Sequence, residues 1–272
     1  MQYSSIIERI AGKSVSAWNV HYQALARAAA GEDVIVLSVG QETDQTSPQT
    51  VVDAGVRSIQ SGRHHYTSVQ GELPLREAIA EHHSTHTGQR IDADRVSVFS
   101  GAQNALFAAA QVLLERGDEV ILLEPYYTTY PATFSAAGAT LVEVPTRPED
   151  GFQFDFDTVV AKVTPRTRAI VVNTPNNPTG AVYSRDSLEQ LVAFCAECDI
   201  WLISDEVYAT LVAPGEAVSP CGLPGGEKVC VTVSSISKSH RMTGWRIGWV
   251  VGPPGMAPHR YNLALCMSYG LP

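Results

Sequence analysis

The feature that most constrains the fold is a repeated alternation of short apolar runs with longer amphipathic stretches between residues 96 and 251. Runs such as VSVF at 96–99 and IWLIS at 200–204 are apolar at most positions, which is typical of parallel strands buried on both faces. Alternation of this kind predicts an open α/β domain, a mostly parallel sheet with helices on both faces. The predicted strands are 96–99, 119–123, 140–144, 168–173, 200–204, 228–234 and 247–251, and the predicted helices are 102–115, 127–137 (bent near Pro131), 156–163 and 184–198.

Both ends of this pattern differ from its middle. The run IGWVV at 247–251 follows the previous predicted strand without room for a crossover helix, so it is predicted to be antiparallel. Residues 17–30 resemble a helix and are followed by the apolar stretch 34–39 and a polar segment. We therefore expect an N-terminal arm, or part of a small domain, over 1–47 and a large domain over 48–272.

Composition limits the function classes. The chain has 272 residues and a net charge of −9, and it shows no basic stripe, so nucleic acid is not an expected partner. No apolar run is long enough to cross a bilayer, and the N-terminus does not resemble a signal peptide. Five cysteines are an odd number for a disulfide framework. These features predict a cytoplasmic protein that does not bind membranes.

Four loops that follow predicted strands carry unusual residues, and ligands of open α/β sheets bind at such loops. In the first, Ser100–Gln103 opens a helix, where backbone N–H groups and the helix dipole attract an anion; a plain tight turn is the alternative. The second, NTPNNPTG at 173–180, has a backbone fixed by proline and two asparagine amides. Those amides either bind a ligand or cap their own turns.

The third and fourth loops carry charge. SDEVY at 204–208 puts Asp205 at the end of a very apolar strand, where it either caps a helix or meets a cationic partner. In SSISKSH at 234–240, Lys238 lies among hydroxyl residues with Arg246 eight residues further on. Such a lysine is either a solvated surface group or a Schiff-base nucleophile.

Together the four loops fit one ligand, pyridoxal phosphate (PLP). Lys238 would hold it as an aldimine, and Asp205 would keep the pyridinium nitrogen protonated, so that the ring acts as an electron sink. An asparagine would bind the phenolic oxygen of the ring. The phosphate would lie on the helix start at 101–103, closed in by Ser235 and Arg246.

The chain resembles the class I and II aminotransferases, which are PLP enzymes of fold type I. The motifs that carry the resemblance are NNPTG at 176–180, SDEVY at 204–208 and SSISKSHRMTGWRIGWVVGP at 234–253. They are supported by YTSVQGELPLREAIAEH at 66–82, SGAQNAL from 100 and GDEVILLEPYYTTYP at 117–131. The surroundings of Trp18 and Cys266 are similar to arginine–pyruvate transaminases.

The resemblance implies a role for each matching residue. Lys238 would bond the cofactor and then move a proton between the substrate α-carbon and the cofactor, making it the catalytic residue. Tyr66 would reach the phosphate of a neighbouring subunit, so the active unit would be a homodimer. Gly40 and Asn177 would lie against the substrate, and no metal is implied. The expected cofactor-binding residues are Gly101, Ala102, Gln103, Tyr127, Asn177, Asp205, Tyr208, Ser235, Lys238, Arg246 and the partner-directed Tyr66.

The implied activity is transfer of the amino group of an L-amino acid, with arginine as a candidate, to a 2-oxo acid such as pyruvate in amino-acid metabolism. Two alternatives stay open: another fold type I reaction such as C–S β-lysis, and an inactive PLP-binding fragment. The second arises because the C-terminal small domain of the family, with its carboxylate-binding arginine, is not expected in this chain. The segment 40–48 also departs from the family pattern, including at Glu42–Gln45, and lacks an aromatic of the substrate pocket.

Two further patterns have simple explanations. His82, His83 and His86 have a helical spacing that suits a metal, but the polar text EHHSTHTG favours a solvated helix face. Cys195 and Cys198 form a C-x-x-C inside a predicted helix, where core packing explains a cysteine better than redox chemistry does.

Overall fold

The computed structural model describes residues 1–12, 15–41 and 46–271. In this part of the chain seven strands form a single sheet in the order β1-β7-β6-β5-β4-β2-β3. The strands are β1 Val96–Phe99, β2 Glu119–Glu124, β3 Thr140–Pro145, β4 Thr167–Asn173, β5 Trp201–Asp205, β6 Cys230–Ser235 and β7 Gly248–Val251.

The predicted mostly parallel sheet is confirmed, and so is its antiparallel strand. The strands from β3 through β2, β4 and β5 to β6 pair in parallel, whereas β7 is antiparallel to both β6 and β1. Because β7 runs backwards, its first residue, Gly248, pairs with Ser235 at the end of β6 and with Phe99 at the end of β1. The start of β7 thus lies at the edge where its neighbours end.

Helices cover both faces of the sheet, as predicted. Successive residues of a strand enter different cores. Ile170 of β4 and Leu202 of β5 pack with the helices at 73–87 and 185–198, and Val171 and Ile203 pack with the helices at 102–113 and 130–137. This two-sided burial explains why the strands are apolar at successive positions. The helices are α1 Ile6–Ile10, α2 Val15–Ala29, α3 Gln49–Gln60, α4 Leu73–Thr87, α5 Ala102–Leu113, α6 Tyr130–Ala137, α7 Phe156–Val160, α8 Arg185–Cys198, α9 Gly226–Val229, α10 Ile236–Ser239 and α11 Ala257–Met267.

Several predicted boundaries were wrong. The helix predicted over 127–137 begins only at Tyr130, and Pro131 lies in its first turn, where its missing N–H costs nothing, instead of bending it. Strand β6 begins at Cys230 and not at 228, because Gly226–Val229 forms a short helix after Gly225, whose φ is +86°. The strand predicted to end at 204 continues to Asp205.

The N-terminal residues stay outside the sheet but contact its helices. Arg9 donates from Nε to the carbonyl oxygen of Ser135 and from Nη2 to that of Ala136, both at 3.0 Å. These carbonyls lie in the last turn of α6, where a cation is favourable.

The division of the chain into an arm and a large domain at residue 47 stays a prediction. No helix among the described residues combines the length and the apolar character needed to cross a membrane.

The histidine-rich end of α4 is only partly solvated. His82 and His86 are exposed, whereas His83 is 3% exposed and its Nε2 accepts a 2.8 Å hydrogen bond from the indole N–H of Trp249. The prediction of a solvated face was therefore wrong for His83, which faces β7. Burial lowers the pKa of its imidazole to about 3.

We predict that His83 makes the fold acid-sensitive. The unfolded chain protonates this histidine near pH 6.5 and the folded chain does not, so the free energy of unfolding falls as the pH drops below 6.5. In His83→Gln, whose amide oxygen can still accept from Trp249, the loss between pH 7 and pH 5 should be smaller by about 2 kcal/mol. Urea denaturation at the two pH values measures it, and equal losses in both proteins would refute it.

Candidate active site

The polar residues of the predicted site meet at one edge of the sheet. Asn173 ends β4, Asp205 ends β5 and Ser235 ends β6, and Asn173 pairs directly with Asp205. Because these three neighbouring strands are parallel, their last residues lie side by side. The antiparallel β7 adds Arg246, two residues before its start, to the same edge.

A cavity of about 240 Å³ opens at this edge. It brings together residues from the arm, from the start of α5 and from the ends of the central strands. The predicted site residues in its lining are Gly40, Ala102, Gln103, Tyr127, Asn177, Asp205, Tyr208, Ser235, Lys238 and Arg246.

Asp205 forms the deep end of the cavity. Asp205 is 8% exposed. Its Oδ2 accepts a 2.6 Å hydrogen bond from the hydroxyl of Tyr130, and its Oδ1 accepts one of 3.2 Å from the backbone N–H of Val207. Burial raises the pKa of this carboxyl, against the effect of both hydrogen bonds. Among the described residues no cation forms an ion pair with it, so the carboxylate can still receive a positively charged ligand group.

Asn177 and Tyr208 form a second polar group beside Asp205. The side-chain amide of Asn177 donates to the Tyr208 hydroxyl at 3.1 Å. Asn173 holds this arrangement: its Oδ1 accepts from the backbone N–H of Asn177 at 2.7 Å, and its Nδ2 donates to the carbonyl of Asp205 at 3.0 Å. The loops after β4 and β5 are therefore joined by one buried asparagine.

Lys238 enters the cavity from the short helix α10. It is half-buried, and desolvation lowers the pKa of its amine. The amine donates a short hydrogen bond to the carbonyl oxygen of Gly40, which links the arm to the site. Gly40 otherwise leaves room, since a Cβ built on it would come no nearer than 3.9 Å to Lys238 Nζ. Of the departing segment after Gly40, Glu42–Gln45 lie outside the described residues.

The opposite corner has the character of an anion site. Helix α5 begins after Gly101, which gives it no side-chain cap, so its first N–H groups face the cavity with the helix dipole behind them. The guanidinium of Arg246 lies against Gly101 and donates to the carbonyl of Thr243 at 2.7 Å. Arg246 is held at φ +56°, a left-handed conformation that is uncommon for arginine and often marks a functional site.

The side chains of two predicted phosphate ligands already have hydrogen-bond partners. The Gln103 amide accepts from the hydroxyl of Thr129 at 2.6 Å and donates to that of Thr133 at 2.8 Å. The Ser235 Oγ accepts from the backbone N–H of Ser237 at 3.2 Å, which leaves its own proton free to donate. The structure therefore favours the backbone of Gln103 and the hydroxyl proton of Ser235 as the groups that face an anion.

Tyr66 is not brought into this cavity. It is 87% exposed, stands edge-on to the ring of Tyr269 with centroids 5.3 Å apart, and lines a separate hollow with Trp245. The contact predicted for Tyr66 is with a second subunit. The structure contains one chain, so this contact stays a prediction.

Sequence reasoning missed two residues that support the site and one buried carboxylate next to it. Tyr130, which binds Asp205, was hidden in a predicted helix. Asn173 was seen only as part of its loop, although its place at a strand end was a usable signal. Glu206, the neighbour of Asp205, is 4% exposed on the other face of the sheet, where its Oε1 accepts from the hydroxyls of Ser204 at 2.9 Å and Ser219 at 2.8 Å.

Comparison with known proteins agrees with this geometry. Residues 32–267 match the family model of class I and II aminotransferases. The whole chain is 50% identical to an arginine–pyruvate transaminase of Pseudomonas aeruginosa and spans 69% of its length. An aspartate/prephenate aminotransferase of Thermus thermophilus is 42% identical over 234 residues, which are 86% of this chain and 60% of that protein.

The fold matches solved structures equally well. The aspartate aminotransferase from Thermus thermophilus with maleate has a TM-score of 0.93 at 36% identity, covering 100% of this chain and 70% of that one. An aspartate aminotransferase from Thermotoga maritima gives 0.92 at 35% identity, covering 98% and 70%. The chain belongs to the class I and II aminotransferase family, of PLP fold type I, whose members depend on pyridoxal phosphate.

The cavity suits that cofactor on its own chemistry. The unpaired carboxylate of Asp205 matches a pyridinium nitrogen, and the uncapped start of α5 with Arg246 matches a phosphate. A Cβ on Gly101 would lie 2.2 Å from Arg246 Nη2, so any side chain there would displace the guanidinium. The half-buried amine of Lys238 is the nucleophile that a carbonyl group requires.

Glu206 gives a prediction about pH. Burial raises the pKa of its carboxyl to about 7 from an ordinary 4.5, against the hydrogen bonds from Ser219 and Ser204. Between these values the folded chain keeps a proton that the unfolded chain has lost, so the free energy of unfolding falls as the pH rises. From pH 5 to pH 8 the wild type should lose roughly 2 kcal/mol more than Glu206→Gln. Urea denaturation of both proteins measures the difference, and parallel pH profiles would contradict it.

Proposed function

We propose that this chain is the cofactor-binding part of a PLP-dependent aminotransferase that moves the amino group of an L-amino acid to a 2-oxo acid such as pyruvate. The observation that carries the proposal is the meeting of the Lys238 amine, the buried Asp205 carboxylate and the uncapped start of α5 in one cavity of 240 Å³. Arginine is the first candidate donor, because the relative at 50% identity is named as an arginine–pyruvate transaminase.

Lys238 is the catalytic residue of this proposal. Its lowered pKa increases the fraction of free amine that can bond the cofactor carbonyl. With cofactor and substrate bound, the amine of Lys238 would take up and give back a proton at the substrate α-carbon. The bound cofactor supplies an electron sink for the negative charge that develops at that carbon.

The remaining residues orient the cofactor. Asp205 keeps the ring nitrogen protonated, and Tyr130 fixes the direction of its carboxylate. Asn177 and Tyr208 would bind the phenolic oxygen, and Tyr127 would lie beside the ring. Gly101, Ala102, Gln103, Ser235 and Arg246 hold the phosphate, and Gly40 with Asn177 borders the substrate.

We also propose a homodimer in which Tyr66 completes the phosphate site of the partner. The support is an exposed apolar surface around it, with Ile59 at 69% and Tyr269 at 58% exposure, since large exposed apolar patches mark interfaces. The arm over 1–47 and the cofactor domain over 48–272 are part of the same proposal. The five free thiols agree with a cytoplasmic location.

The test of the proposal is whether the lysine bonds the cofactor. Purified protein mixed with pyridoxal phosphate should show visible absorbance that borohydride fixes covalently, and Lys238→Ala should lose both effects. Lys162→Ala, which removes an exposed lysine far from the cavity, should behave as wild type. Wild type without this absorbance, or equal labelling of Lys238→Ala, would refute the proposal.

The reaction is tested with a donor panel. Purified protein is given arginine, alanine, aspartate or cystathionine with pyruvate or 2-oxoglutarate, and both products are measured. Matched amounts of a new amino acid and a new 2-oxo acid support transamination. Release of ammonia and a thiol from cystathionine would instead establish C–S lysis.

A matched pair of glycines tests the phosphate corner. Gly101 and Gly117 both have a positive φ, +84° and +104°, but a Cβ on Gly101 would strike Arg246 whereas one on Gly117 would have nothing within 4 Å. Gly101→Ala should weaken pyridoxal phosphate binding at least about tenfold, equivalent to 1.4 kcal/mol, and Gly117→Ala should lose stability but keep the affinity. Absorbance titration gives the dissociation constants, and equal affinities would contradict the assignment.

A further inference from the structure

A second cavity, here called the outer cavity, adjoins the first and is lined in part by α2. Its volume is about 630 Å³, and Gly40, Tyr127 and Lys238 line both cavities. If the proposed function holds, the α-carbon of the substrate lies near Lys238, so the substrate side chain extends into this outer cavity. The residues at its far wall then contact that side chain.

The far wall is formed by α2 and the segment that leads to Gly40. Trp18 projects from α2 and is 40% exposed, with its ring 5.6 Å from that of His21 and edge-on to it. The Nδ1 of His21 is hydrogen-bonded to the hydroxyl of Ser38 at 2.7 Å. This bond ties the helix that carries Trp18 to the segment whose Gly40 carbonyl binds Lys238.

The outer cavity shares the amine of Lys238 with the first cavity and has no acidic side chain in its described lining. Among the described residues its lining contains no aspartate, no glutamate and no arginine. A substrate carboxylate at the far wall would find no guanidinium there, and a substrate cation would find no carboxylate. The wall does contain Trp18, whose indole is the side-chain ring that attracts a cation most strongly.

We propose that Trp18 is a specificity-determining residue, on whose indole face the guanidinium of an arginine-like donor stacks. The apolar side chains of Leu37, Val39 and Leu211 in the same lining suit the three methylenes that precede the guanidinium. Recognition by an aromatic face needs no buried carboxylate, whose desolvation would have to be offset, and the described lining of the outer cavity has no carboxylate.

The test compares arginine with citrulline, which has the same length and planarity but no charge. Dissociation constants are measured for the cofactor-loaded protein from the change in visible absorbance as each amino acid is added. Trp18→Leu should weaken arginine binding about tenfold and citrulline binding less than about twofold. Trp18→Phe, which keeps an aromatic face, should recover most of the arginine affinity.

Tyr22→Leu is the matched control. Tyr22 lies on the same helix with its ring 6.3 Å from that of Trp18, but it does not line the cavity. Tyr22→Leu should leave the ratio of arginine to citrulline affinity unchanged. A thermal unfolding curve shows whether each variant is folded.

Two results would overturn the proposal. Equal weakening of arginine and citrulline in Trp18→Leu would mean that Trp18 supplies apolar contact only, as for an aromatic or aliphatic donor. An unchanged arginine affinity in Trp18→Leu would mean that the guanidinium of the substrate does not contact Trp18. Neither result affects the cofactor absorbance that depends on Lys238, so this inference and the proposed function fail separately.

Discussion

The site depends on a carboxylate buried at the end of a central strand. Removing Asp205 from water is costly, and the structure offsets only part of that cost with one hydroxyl, from Tyr130, and one backbone N–H, from Val207. The pKa of the carboxyl is raised because the two hydrogen bonds do not fully offset the cost of removing its charge from water. A protonated ring nitrogen would convert this unfavourable burial into a strong charge-assisted hydrogen bond. The same burial that destabilises the apo chain therefore becomes binding free energy for a cationic heterocycle.

The backwards direction of β7 matters as much as the parallel strands do. A sheet of parallel strands alone would bring only their final residues to this edge, and those are Asn173, Asp205 and Ser235. Because β7 is antiparallel, it begins where β6 and β1 end, and Gly248 lies so close to α5 that a Cβ would be 2.4 Å from the N–H nitrogen of Ala102. Arg246 is thereby held beside the start of that helix, so an anion placed there would be attracted by two sources of positive potential.

How much the sequence predicts depends on whether a residue acts through its own loop or through a distant one. The loops carrying Asp205 and Lys238 were found because they follow apolar strands, and parallel topology alone brings them together. Tyr130 was missed because its partner is 75 residues away, and nothing local shows where a helical tyrosine points. His83 was predicted to be solvated for the same reason, since its burial depends on Trp249 in β7, 166 residues away.

The first cavity is lined by the ends of core strands, and the outer cavity is lined in part by α2. This difference affects how the substrate can change within one family. Asp205 and Ser235 lie on strands whose register is fixed by two buried cores, so the cofactor cavity tolerates little movement. Trp18 and His21 lie on α2 outside the sheet, tied to the site by the His21–Ser38 and Lys238–Gly40 hydrogen bonds. None of the described α2 side chains belongs to either buried core, so we expect substitutions of them to alter the outer wall and to leave both cores in place. If the outer wall contacts the substrate side chain as proposed, relatives named for arginine and for aspartate can share the sheet edge and differ in that wall.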